Sequence, residues 1–214
     1  MSIPEAVRRY GVEEPGRKFL IGSEAGLLSP EQTRALALGA SIFWNNDEPM
    51  TALPPLRPGQ VAADKKMLSE WWGIESPYGA LGRLDDLVAG GHRARNQPQL
   101  LARAQHWAEQ FAQIQFLQTQ PPVANISAWD FVRVVTLARW CHDVRYIDEA
   151  TAWRYIGEGN RLARTLFNSW AELAASFIGG RLMWNGNVEQ NNMFGQHAAH
   201  MLGNPDTLWN RCAW

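Results

Sequence analysis

Three apolar runs of the chain open on the same spacing, a serine followed three residues later by an amide or an acid: Ser29 with Gln32, Ser127 with Asp130, and Ser169 with Glu172. Such a pair closes the first turn of a helix from both sides, the serine oxygen taking one free N–H and the longer side chain reaching back to another. Pro30 adds a residue suited to the first helical position. Asp148 heads a fourth run, "EATAWRYIGEGNRLARTLF", as a single cap. No stretch alternates apolar and polar residues as a half-buried strand does, and the β-branched Val132–Val135 segment lies inside a capped helical period. The fold class predicted is all-α, a compact domain of about seven to eight helices with a three-helix core in its C-terminal half.

The remaining elements follow from periodicity and breakers. One helix is expected across "LSPEQTRALALGASIFWNN", then a proline-rich loop over 48–60, a short helix over Asp64–Trp72 and another from Tyr78 to about Ala89. A longer helix is expected from Gln97 to Gln118, its stripe running through Leu100, Ala104, Trp107, Phe111, Ile114 and Leu117. Residues 1–26 read as an irregular arm, and 27–214 as a single domain with an N-terminal layer (27–120) and a motif-bearing half (127–214). A chain of 214 residues buries a sizeable core without disulfides or metals.

Charge excludes some function classes. The formal net charge is −1, and neither 1–120 nor 121–214 carries the basic excess that phosphate neutralisation requires, so no nucleic-acid partner is expected. No apolar run reaches 18 residues and the N-terminus lacks an apolar core, so neither a membrane span nor a signal peptide is expected. The two cysteines, Cys141 and Cys212, show no paired spacing and read as free thiols in a reducing cytoplasm.

The most reactive-looking stretch is "ARWCHDVRYIDEATAW" (138–153). Successive helical residues point about 100° apart, so Cys141 and His142 do not face one another as a thiol and its base must. The stretch is expected to be a helix end, a turn and a capped helix start. His197 and His200 have the only metal-like spacing, but two alanines stand between them where a zinc helix carries its general base. No phosphate-binding glycine loop or nucleophile elbow is present. No catalytic residue, metal or cofactor is assigned.

Between Trp129 and Trp184 the sequence reads "WDFVRVVTLARW…YIDEATAW…NSWAELAASFIGGRLMW", closing with "TLWNRCAW". This combination resembles the YbeU/YbeR-like bacterial proteins, domain-of-unknown-function family 1266 (DUF1266), strongly over 127–184 and more loosely over 30–214. Cys141 and His142 stand where that family has glycine and an aromatic, and Leu208 and Ala213 where prolines are common. The resemblance implies a helical domain, a bacterial origin and a cytoplasmic setting, and brings no activity with it.

Among the shared residues, Asp130, Arg133, Arg139 and Arg181 are candidates for a polar groove, since arginine forks hold carboxylates and phosphates bidentately. Of the twenty basic residues, only Lys18, Lys65 and Lys66 are lysine. With eleven tryptophans, this makes Trp71, Trp72, Trp209 and Trp214 candidate anchors for a partner. The function expected is non-enzymatic protein binding, as an immunity- or antitoxin-like inhibitor or an accessory factor. The alternatives are an enzyme or small-ligand binder built on the Arg/Asp groove, and a toxin-type effector.

Overall fold

The computed structural model describes residues 28–46, 48, 50, 53 and 59–214. The expected N-terminal arm and most of the proline-rich loop lie outside the described residues. Among the described residues every regular element is helical. In chain order these are α1 (Pro30–Ala37), α2 (Ala40–Asn45), α3 (Val61–Trp72), α4 (Pro77–Ala89), α5 (Gly91–Ala102) and α6 (Ala104–Phe111). A 3-10 turn (Leu117–Thr119) leads to α7 (Ala128–Asp143), α8 (Glu149–Leu166), α9 (Trp170–Asn185), α10 (Val188–Gly203) and α11 (Leu208–Arg211).

Helix α7 is the centre. Its residues Ala128–Val132 and Val134–Cys141 are all buried, because α8, α9 and α4 pack on it from different sides and α5 and α2 cover its ends. A helix surrounded in this way has no polar stripe, which explains why "FVRVVTLARWC" reads as apolar nearly throughout. Helix α9 crosses it at Gly180, where an added Cβ would stand 2.6 Å from the Cβ of Trp129. Only a glycine allows that approach.

Two expected helices are divided. The N-terminal run breaks after Ala37 because Phe43 folds back over Gly39, where a Cβ would meet the ring at 2.2 Å. The Gln97–Gln118 run breaks at Arg103 (φ −126°, ψ 38°) and again after Phe111. In one straight helix, Phe116 would point away from the stripe through Leu100 and Phe111; the breaks bury Leu100, Phe111, Ile114, Phe116 and Leu117 together. Helix α5 also starts earlier than periodicity suggests, at Gly91 directly after the left-handed Gly90 that ends α4.

The caps separate local from distant chemistry. Ser29 and Gln32 form the full reciprocal box. Asp148 accepts the N–H of Thr151, and Ser169 that of Glu172. The expected Ser127–Asp130 box does not form. Ser127 is itself helical (φ −65°, ψ −26°) with no side-chain cap, and the N–H of Ala128 is taken by Ser176 Oγ on α9 at 3.1 Å. Asp130 is committed elsewhere.

Candidate functional site

Asp130 is fully buried, and its carboxylate accepts the backbone N–H of Arg93 at 2.8 Å and of His92 at 3.3 Å. These are first-turn donors of α5, whose own cap position is Gly90 and supplies no side chain. A carboxylate from α7 therefore caps a helix that begins 39 residues earlier, at Gly91, and meets its positive end. Arg133 Nη1 stands 3.8 Å from Asp130 Oδ1. Burial pushes the Asp130 carboxyl up, while the two N–H groups and Arg133 pull it down. Burial also lowers Arg133 to about 10, which leaves it cationic at neutral pH.

The Arg133 guanidinium lies between two indoles, 4.6 Å from the centre of Trp72 and 4.7 Å from that of Trp129. Trp129 in turn meets Trp184 at 5.6 Å, and Trp72 meets Trp140 edge-on at 6.5 Å. The result is a row, Trp140–Trp72–Arg133–Trp129–Trp184, held by cation–π and aromatic contacts. Trp129 and Trp140 are buried, Trp72 and Arg133 partly buried, and Trp184 is 58% exposed. Beside Trp72, Trp71 is 77% exposed, and Tyr78 at the start of α4 is 87% exposed.

Arg139 occupies different surroundings. It is completely buried, stacked 3.7 Å over Phe43, with Nη1 3.9 Å from Glu48 Oε2. Glu48 Oε1 also accepts from Trp140 Nε1 at 2.9 Å and from Asn46 Nδ2 at 3.2 Å. Burial lowers Arg139 to about 10 against the pull of Glu48. This pair fastens the segment after α2 to the central helix.

Arg181 lies elsewhere again, in a cleft of about 740 Å³ between the end of α9 and the start of α10. Asn45, Asn187, Glu189, Gln190, Asn192, Met193 and Gln196 complete its lining. Of the four groove candidates, the structure brings Asp130 and Arg133 together and places Arg139 and Arg181 in separate environments.

Of the four tryptophan candidates, Trp71 projects and Trp72 is partly covered by Arg133. Trp209 is buried, stacked parallel on Trp170 at 5.5 Å, and donates to Ala37 O. Trp214 stands edge-on to Trp170 at 4.7 Å and donates to Phe167 O. These two close the C-terminus onto the core. Tyr78 and Trp184 were missed in the sequence. Tyr78 follows a helix-starting proline and carried no signal, while Trp184 continues the buried stripe Leu173–Phe177–Gly180 and reads as core.

His197 is buried between Trp44 and Phe194, with His200 beside Trp44. Among the described residues no group of three His, Cys, Asp or Glu side chains is arranged to hold a metal ion. Burial pushes the Cys141 thiol up to about 12, away from the thiolate a nucleophile needs. No described helix is long and apolar enough to cross a membrane.

The family model for the protein of unknown function DUF1266 matches residues 67–214, from within α3 to the final tryptophan. The match covers more than half of the chain, and the chain belongs to this family. It takes in the whole tryptophan–arginine row and leaves α1 and α2 outside. No curated protein and no solved structure matches the chain.

Proposed function

We propose that this member of the DUF1266 family is a non-enzymatic protein-binding module, and that its contact surface centres on Trp71, Tyr78 and Trp184. One observation carries the reading: Trp184 at the end of the arginine–tryptophan row, Trp71 next in sequence to its member Trp72, and Tyr78 are exposed, while most of the other tryptophans are packed inside. Aromatic and arginine side chains dominate the energetics of protein interfaces, and a ring held on a rigid support loses little freedom when covered. The form of this function to be tested is the inhibitor-like or accessory role, in a bacterial cytoplasm, that the sequence suggests.

The test is affinity capture with the full chain, compared with Trp71→Ala, Trp184→Ala and, as a surface control, Leu166→Ala. A specific partner should be retained by wild type and by the control. Each tryptophan variant should weaken it by about 2 kcal/mol, roughly thirtyfold in Kd. Retention that ignores both tryptophans, with circular dichroism unchanged, would sink the proposal.

A further inference from the structure

The Arg181 cleft has features that protein docking through the aromatic row does not use. The guanidinium is laid on the ring of Phe194, 4.2 Å from its centre, which fixes its plane. It donates to Asn191 Oδ1 at 3.3 Å and Gln190 Oε1 at 3.2 Å, both long contacts to neutral amides. No described carboxylate lies within ion-pairing distance of it, unlike Arg133, Arg139, Arg161 and Arg211. A guanidinium carries five N–H groups. Arg181 Nε has no hydrogen-bond partner among the described residues and is not sealed from solvent, so that N–H remains open to a ligand. Burial lowers its affinity for the proton only to about 10, so the charge persists.

The surrounding amides are locked together. Asn187 caps α10 by accepting the N–H of Gln190 at 2.9 Å. Asn191 Nδ2 donates to Asn185 Oδ1 at 2.9 Å and Asn187 O at 2.7 Å. Asn185 Nδ2 reaches Gln190 Oε1 at 3.3 Å. Asn192 is tied to the turn after α6, accepting from Gln115 N at 2.9 Å and donating to Gln113 O at 3.1 Å. A cluster of interlocked amides around one cation is preorganised for a polar ligand.

Charge then selects the ligand. The lining holds one cation, Arg181, and one acid, Glu189, with amides elsewhere apart from Met193. A phosphate group with two charges would meet a single arginine and be repelled by Glu189. A zwitterion matches both signs. We propose that this cleft binds a free amino acid with a polar side chain, its carboxylate on Arg181 and its ammonium on the Glu189 side, the amides taking the side chain.

The experiment is isothermal titration calorimetry of the full chain with glutamine, asparagine, succinate and inorganic phosphate, each to about 10 mM, enough to detect a millimolar Kd. Glutamine or asparagine should bind. Arg181→Met, which keeps the stem on Phe194, should weaken that binding at least about tenfold, and Arg181→Lys less. Glu189→Gln lies at an exposed position and should fold normally; it should weaken the amino acid and strengthen succinate. Should Arg181→Met fail to fold, Glu189→Gln decides alone. The proposal is overturned if neither amino acid binds, if phosphate binds better than both, or if Glu189→Gln leaves the preference unchanged.

Discussion

The carboxylate of Asp130 on α7 receives the backbone N–H of Arg93 on α5 at 2.8 Å, so one buried acid joins the central helix to the start of another. It also faces Arg133, whose charge it compensates. Asp130→Ala removes the cap and leaves a largely buried arginine without its partner. The expected cost is about 3–5 kcal/mol in urea unfolding. Asp130→Asn keeps one oxygen as acceptor and should cost less, about 2 kcal/mol. Equal stability of Asp130→Ala and wild type would remove the central role given to this carboxylate.

That relationship marks the boundary of what the sequence discloses. Ser29, Asp148 and Ser169 were legible as caps because donor and acceptor lie within four residues. Asp130 sits at the same spacing from Ser127, yet its partners are 37 and 38 positions away, and nothing local announces them. Arg139 is a similar case: its partner Glu48 lies in the proline-rich stretch, and only the folded core joins them. Which tryptophans project was equally hidden. Trp209 and Trp71 are both candidate anchors by sequence, yet Trp209 is buried against Trp170 and Trp71 is exposed, because among the described residues only Trp209 of the two meets another element.

The turn inside "ARWCHDVRYIDEATAW" carries a measurable strain. Helix α7 ends with Tyr146 N–H on Cys141 O at 2.8 Å and Arg145 N–H on His142 O at 2.9 Å, the paired bonds of a Schellman close. Arg145 takes the left-handed position (φ 63°) that glycine usually fills. Arg145→Gly relieves the Cβ crowding and should stabilise the fold by about 0.5–1 kcal/mol, after the entropy glycine adds to the unfolded chain. Arg145→Ala keeps the Cβ and should show no such gain. If both variants shift the urea midpoint alike, the effect belongs to the lost side chain and the backbone account is wrong.

Gly180 tests the helix crossing. A Cβ there would stand 2.6 Å from Trp129 Cβ and 3.0 Å from Ile126 O, and neither is the free end of a flexible side chain. Gly180→Ala should therefore cost about 1–3 kcal/mol through overpacking, although alanine is the better helix former. Gly157, on α8, has nothing within 4 Å of the same position. Gly157→Ala should gain up to about 1 kcal/mol. Opposite signs for the two substitutions in thermal unfolding are the expected result, and a gain at Gly180 would mean the helices are not in contact there.

A buried histidine, His197, and a partly buried one, His92, give the fold an acid limit. Burial lowers His197 and His92 from 6.5 to about 4, with Arg133 and Arg95 adding to the effect at His92. Well above pH 6.5 both are neutral, folded or unfolded, and contribute no pH dependence. Between pH 6.5 and about 4 the unfolded chain takes up protons that the folded chain refuses. Stability must then fall as pH falls, by up to about 1.4 kcal/mol per pH unit for each histidine. Neither ring nitrogen of His197 has a hydrogen-bond partner, and its neighbours are the rings of Trp44 and Phe194. Phenylalanine fits such a site without the unmet N–H, so His197→Phe should at least match wild type at pH 7.5. Its advantage should widen steadily from pH 6.5 to 4.5, as the wild type pays for keeping the imidazole neutral. Urea midpoints at the two ends of that range decide the matter, because a difference independent of pH would place the acid sensitivity in other groups.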